Sequence, residues 1–384
     1  MTKRALIIAH KFLDSAPRPL KEIAWLQEQS WVVDTIGLGA APPINGTHQS
    51  MKLPSFLFRA FYYLLPNMKV RFDGLYGQFF PKKLSLALDK YDLLIVHDLT
   101  LIPLPQIRDE VKRRSGHAVI IDLHENHVDS LSRNKIEEFV FGGYRKWEYS
   151  QFKSLVEATA SGITLTTVSA EIASAFRDSV GVLPSILRNA PAFLDQEPSN
   201  VDSQAIRLVH HGVGTNYRGI EESIQAMRHL PPNFSLTFYL VSSQLYMLKL
   251  KLLVFLAGVQ ARVRFMNPVP TRQLATELNQ YDLALVVIPP VTVNEDQAVP
   301  NKLLESIQGR LGLIVGPNSA MSTIVRDHGL GRVLKGWASA DIVNGLSGIS
   351  REEIVGFKKN SHEVGGIYSS NLDKAVFLNL IDVL

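Results

Sequence analysis

Short apolar runs alternate with longer amphipathic stretches along nearly the whole chain, and that alternation constrains the fold more than any single motif. Residues 5–9 read as a buried strand and 20–29 as a helix, and 31–36 is a second strand ending at Gly37. After an insertion rich in bases and aromatics, 93–96 is a strand that runs into His97-Asp98, and 107–114 is a helix stopped by Gly116. Residues 119–123 form a strand running into His124-Glu125, then 165–168 a strand and 170–178 a helix capped by Ser169. Strands that are apolar throughout, rather than on every second residue, fit a parallel sheet covered by helices on both faces.

The series is interrupted once. Residues 188–204 hold Pro191, Pro198, Asn189, Asn200, Asp195, Glu197 and Asp202, the composition of a linker. A second series follows, with elements at 206–209, 220–229, 236–241, 262–266, 273–280, 283–287, 302–308, 313–315 and 321–328. The expected fold class is α/β with two Rossmann-like domains whose parallel sheets face across a cleft. The expected divisions are 1–190, a linker at 191–204, 205–365, and a C-terminal helix at 366–384 packing back towards the first domain. A length of 384 residues suits two domains. In sheets of this kind ligands bind beyond the carboxyl ends of the strands.

Composition removes several classes. The chain has no cysteine, which excludes disulfides and zinc–thiolate sites. Met1 to His10 has a charged start but an apolar run too short for a signal peptide. The apolar region 234–259 is broken by Ser242, Ser243, Gln244, Lys249 and Lys251, so no membrane-spanning helix is expected and a cytoplasmic location follows. Net charge is +4. It is concentrated in residues 50–90, where Lys52, Arg59, Lys69, Arg71, Lys82, Lys83 and Lys90 face only Asp73 and Asp89, interleaved with Phe and Tyr. Such a segment suits peripheral contact with anionic lipid at the inner face of the cell membrane, or a helix packed on the sheet with a solvated basic edge. No nucleic-acid motif accompanies it.

The sharpest local signal is Pro300-Asn301-Lys302-Leu303-Leu304-Glu305, followed by Gly309, Gly312 and Leu313-Ile314-Val315. Pro300 suits a helix start, where its missing amide would have no partner. The turn after it offers backbone N–H groups and the positive end of a helix dipole. Lys302 and Glu305, three apart, share one face of that turn. A lysine beside such amides suits a diphosphate, and a carboxylate one turn on can accept two hydrogen bonds from a ribose diol. The same pair would serve as a surface ion pair on an ordinary helix, so the rest of the chain decides between them. Arg218, just ahead of the helix at 220–229, can grip phosphate bidentately.

Taken in order, these strand ends match a family pattern. His97-Asp98 with Leu101-Ile102-Pro103-Leu104, then Ile121-Asp122-Leu123-His124-Glu125, resembles bacterial glycosyltransferases of the family-4 type. So do Thr167-Val168-Ser169-Ala170-Glu171, Leu187-Arg188-Asn189-Ala190-Pro191, Gly212 with Arg218-Gly219-Ile220, and Pro300 to Gly312. The resemblance covers nearly the whole chain and implies a GT-B fold and a retaining, metal-independent transfer from a nucleotide-sugar donor to a glycan or lipid-linked acceptor. No cofactor is implied. By the same resemblance Arg218 and Lys302 hold the donor diphosphate and Glu305 the ribose, with Gly214 and Asn301 beside them. His124 would act catalytically on the sugar and its phosphate, and His97, Asp98 and Glu125 would meet the acceptor.

Two departures bear on this. Where many relatives carry a first glutamate ahead of the one matching Glu305, this chain has Gln297, with Glu295 and Asp296 close by. Where the family has a glycine-rich first loop, Phe12 to Arg18 stands instead, making Asp14 and Arg18 acceptor-side candidates. A nucleotide-sugar epimerase on the same fold, and a non-catalytic relative, are the alternatives that these departures keep open.

Overall fold

The computed structural model describes residues 2–51, 90–102, 105–114, 118–126, 128, 135–159, 163–202 and 204–383. The basic-aromatic segment at 50–90, with the membrane contact expected of it, lies outside the described residues except at its ends. The chain forms two compact units. The first holds residues 1–189 together with 292–294 and 373–384, and the second holds 190–291 and 295–372.

In the first unit the described strands are β1 (Arg4–Phe12), β2 (Val32–Leu38), β3 (His48–Ser50), β4 (Leu93–His97), β5 (Val119–Leu123), β6 (Thr164–Thr167) and β7 (Ser185–Ile186). They pair in parallel in the order β3-β2-β1-β4-β5-β6-β7. Alternate residues of β1 feed two cores: Leu6 and Ile8 join the cluster around Phe152 and Phe176, and Ala5 and Ile7 join Trp25, Leu26 and Ile23. The expected helix at 170–178 is found at Ala170–Val180. Ser169 caps it by accepting from the Ile172 amide at 3.2 Å, and Gly181, in left-handed backbone at φ 74°, ends it. In the C-terminal helix, Ser370–Val383, Phe377 packs against Trp25 with ring centroids 5.5 Å apart.

In the second unit the described strands are β8 (Ile206–Gly214), β9 (Phe234–Ser242), β10 (Val263–Met266), β11 (Leu283–Val286), β12 (Gly312–Val315) and β13 (Gly331–Val333). They also pair in parallel, in the order β10-β9-β8-β11-β12-β13. In both sheets the strand order reverses direction beside the first strand, at β1/β4 and at β8/β11. That reversal leaves a crevice at the carboxyl ends where a doubly wound sheet binds its ligand.

The apolar pattern located most strands but mis-set one boundary that matters. β8 does not stop at Val209; it continues through His210, His211 and Gly212 to Gly214. The cause is its position between β9 and β11, which buries the two histidines and keeps the ladder going past the last aliphatic residue.

Candidate functional site

The helix Asn301–Gln308 starts where the sequence indicates, with Pro300 in extended backbone as its cap residue. Leu303, Leu304 and Ile307 are buried in the core beside Val209, Ala284 and Leu313, which fixes the helix rotation. That rotation brings Lys302 and Glu305 to the end of β8. The Lys302 Nζ lies 3.4 Å from His210 Nε2, and His211 Nε2 lies 3.0 Å from Glu305 Oε2. Gly212 adopts a backbone at φ 106° that L side chains rarely reach, and it lies in ordinary contact range of the lysine stem, a Cβ there being 3.6 Å from Lys302 Cε.

Lys302 is only 8% exposed. Burial, reinforced by Arg218 and opposed by Glu305, lowers its amine to about 8. Burial also holds His210 well below the usual imidazole range, with the Lys302 charge adding to the effect. His211 is lowered by burial against the pull of Glu305. The group is thus a cationic amine at the edge of its charged range, braced by a neutral imidazole, with a carboxylate oriented by a second one. An anion at the amine would restore its full charge.

Arg218 reaches the same region from a tight loop. Tyr217 and Gly219 both adopt left-handed backbone, at φ 62° and 69°, and Gly219 is the cap residue of the helix Ile220–Met227. A Cβ on Gly219 would lie 2.0 Å from the Val287 carbonyl oxygen, so only glycine lets this loop close onto the end of β11. The guanidinium is half-exposed and 3.9 Å from Glu295. Gly214, at the end of β8, lines a recess of about 440 Å³ together with Thr215, Asn216, Ser242, Ser243 and Tyr246. Asn301 is exposed in the first turn. Gln297 is half-buried at the end of the short helix Val293–Gln297, which is fastened by Ser319 Oγ donating to the Asp296 carbonyl at 3.0 Å. Glu295, rather than Gln297, is the side chain that this helix offers to Arg218.

In the first unit the strand registers align Ala9 with His97, His97 with Asp122 and Asp122 with Thr166, setting three polar residues side by side. His97 is fully buried between Glu22, at 2.9 Å from its Nε2, and Asp122, at 3.1 Å from its Nδ1. Burial alone would lower this imidazole, but Glu22 and Asp122 outweigh it and raise His97 to about 9. Asp122 also accepts from Arg18 Nη1 at 2.8 Å and from Thr166 Oγ1 at 2.6 Å. Burial would raise its carboxyl; Arg18 and His124 overcome that and hold it well below the usual range.

His124 is partly exposed, its Nε2 2.8 Å from Asp122 Oδ2 and 3.1 Å from His97 Nδ1. It is the edge of this network that reaches solvent. Asp98, at φ 62°, pairs with Lys11 at 2.6 Å and accepts from the His124 amide at 3.3 Å. Asp14 and Glu125 are exposed, whereas Arg18 is buried. The structure therefore groups His97, His124, Asp98 and Arg18, and separately Arg218, Lys302 and Glu305.

His210, His211 and Glu22 were not singled out in the sequence as site candidates, and Asp122 entered only as part of the motif at 121–125. The signal for Glu22 was present, since it falls on the buried stripe of its helix with Pro19, Ile23 and Leu26, where a carboxylate needs a partner. Among the described residues, the ligand atoms of His97, Asp122 and His124 lie within 4.8 Å of one another, a spacing that could hold a metal ion. Arg18 already neutralises the carboxylate, however, and the cation next to it opposes a second one.

No family model matches the chain, and no curated protein matches its sequence. Solved structures do match its fold. The sucrose-phosphate synthase of Thermosynechococcus elongatus superposes with a TM-score of 0.68 at 13% identity, covering 98% of both chains. Anabaena HepE, solved in complex with UDP and glucose, gives 0.66 at 12% identity over 100% of each chain. WaaG, a glycosyltransferase involved in lipopolysaccharide biosynthesis, gives 0.59 at 15% identity over 95% of this chain and 96% of its own. The two parallel α/β units make the fold GT-B, that of the glycosyltransferases it resembles.

Proposed function

We propose that the protein is a glycosyltransferase that moves a sugar from a nucleotide-sugar donor to a glycan or lipid-linked acceptor of the cell envelope. One observation carries the proposal: on a GT-B fold, a buried lysine of lowered pKa, a loop arginine and a histidine-braced carboxylate converge at the end of β8. In this reading Lys302 and Arg218 neutralise the diphosphate as it departs, and Glu305 accepts from the ribose hydroxyls. Two cations on the phosphates take the part that a divalent ion would otherwise play, so transfer is metal-independent. Gly214 and the recess beside it border the donor; Asn301 and Gln297 complete its surroundings. His124, Asp98, Glu125 and Asp14 stand on the acceptor side, His124 acting as the group that responds to developing charge, while the buried Arg18 and His97 hold Asp122 behind them rather than meeting the acceptor. The transfer retains anomeric configuration, the leaving phosphate assisting the incoming hydroxyl. The complex of HepE with UDP and glucose supports a donor of this class.

The test is incubation with a panel of nucleotide sugars, with and without a membrane extract, following nucleoside diphosphate release and the anomeric configuration of the product. Acceptor-dependent release with retention is the expected result. Interconversion of the donor sugar without any acceptor would instead assign an epimerase, and binding without turnover of any donor would assign a sugar-binding relative.

A further inference from the structure

The helix Gln244–Ala257 in the second unit has a construction that an ordinary surface helix avoids. Leu250 and Val254 are buried and pack it onto the sheet beside Phe238 and Leu236. On the opposite side Leu245, Leu248, Leu252, Phe255 and Leu256 are each between 56% and 79% exposed. At about 100° per residue these five fall within one stripe roughly 100° wide, centred opposite the buried pair and running about 16 Å along the axis. Lys251 borders the stripe on one side and Lys249 on the other. The fourteen residues contain no Asp or Glu. A helix that is apolar on both poles is normally covered on both, and an exposed patch of this size marks an interaction surface.

The flanking charge selects the partner. A lysine on the border of a Leu/Phe stripe, as Lys251 is, can lay its stem along an apolar phase and carry its amine to phosphate level, the arrangement of an interfacial helix. At the C-terminal end of the stripe, a groove of about 300 Å³ has Leu253, Leu256 and Ala257 on one side and Arg228 and His229 on the other, both exposed. Gln225 and Ser339 complete its lining, so the groove is a mixed polar and apolar surface whose basic edge suits an anionic head group beside the stripe. Glu221 answers Lys249 at 2.9 Å, leaving Lys251 and Arg228 as the charges directed at a partner.

We infer that the Gln244–Ala257 helix docks the second unit on an anionic lipid surface through the Leu245–Leu248–Leu252–Phe255–Leu256 stripe. This does not depend on the donor site, and it is separate from the basic segment at residues 50–90.

Flotation of the full chain with vesicles of phosphatidylglycerol and phosphatidylcholine, against phosphatidylcholine alone, tests it. The protein floats with the anionic vesicles, and L248E/L252E reduces flotation to the level seen with neutral ones. Both leucines are exposed, so the variant keeps its circular dichroism and its melting temperature. A second variant, with Lys69, Arg71, Lys82 and Lys83 changed to Glu, keeps stripe-dependent flotation. Flotation unchanged by L248E/L252E, or lost only in the second variant, overturns the inference. So does a lipid-free dimer in sedimentation velocity that L248E/L252E dissolves, since the stripe would then belong to a second copy of the chain.

Discussion

Raising the pH from 7.5 to 9 should weaken nucleoside diphosphate binding about eightfold, because Lys302 enters that range with its amine at about 8. Burial lowers the amine, Arg218 lowers it further and Glu305 opposes both, so the unliganded lysine loses most of its charge by pH 9. A bound diphosphate supplies the missing counter-charge and restores the protonated form. Binding above pH 8 must therefore take up a proton, and affinity follows the fraction of lysine already charged: about three-quarters at pH 7.5 and about one-tenth at pH 9. That change is about 1.2 kcal/mol of binding free energy. Calorimetry in buffers of different ionisation enthalpy reads both quantities at once. Proton uptake should approach one per ligand near pH 9, and Lys302→Arg, which stays charged across the window, should bind with whatever affinity remains and no such dependence. Flat affinity with no proton uptake would refute the placement of Lys302 against the phosphates.

Gly219→Ala should destabilise the second unit by about 2 kcal/mol or more and weaken diphosphate binding with it, since the new methyl meets the Val287 carbonyl at 2.0 Å in left-handed backbone; thermal melts and titrations read the two effects, and a neutral variant would contradict the loop geometry. Treatment with EDTA should leave nucleotide binding unchanged, and rescue of a lost affinity by magnesium or manganese would mean that carboxylates rather than Arg218 and Lys302 hold the diphosphate. The two units should respond to alkali with opposite sign. His97 is raised to about 9, so the stability it contributes is complete below about 6.5 and disappears as pH climbs through 9. Lys302 and Lys358 are both lowered to about 8, so the cost of burying their charges is complete below 8 and is relieved as pH climbs towards 10.5. Hydrogen-exchange protection in β4 should fall between pH 7 and 9.5 while protection in the helix Arg351–Glu363 is maintained or rises; a common sign in both would remove the electrostatic account.

The sequence made the sheet cores legible because buried parallel strands are written as uninterrupted aliphatic runs: 119–123 and 313–315 lie within or match the strands observed. Strands without such runs were invisible. β3 is His48-Gln49-Ser50 and exists because β2 offers it a free edge, a tertiary cause that no local pattern carries. The helix Arg351–Glu363 was readable in principle, since Ser350 and Glu353 form a capping box with bonds of 3.1 and 3.0 Å.

At the site, the spacing of Lys302 and Glu305 exposed the donor cluster. Its second half stayed hidden, because His210 and His211 sit in a strand whose apolar run stops one residue earlier. The ion-pair network of the first unit was half visible in the same way. His97 and His124 announce themselves at strand ends, but Glu22 reaches His97 from 75 positions away in sequence, through a helix whose rotation only packing decides.

The central claim is that Arg218, Lys302 and Glu305 form a nucleoside diphosphate site, and single-site calorimetry across a panel of nucleoside diphosphates tests it most directly. Lys302→Ala and Arg218→Ala should each weaken the best ligand by about 1.5–3 kcal/mol, the typical worth of a charged hydrogen bond. Glu305→Gln should weaken the nucleotides while leaving inorganic pyrophosphate nearly unaffected, because the carboxylate meets the ribose and not the phosphates. Unchanged affinity in both cation variants, or equal loss of pyrophosphate and nucleotide in Glu305→Gln, would contradict the account.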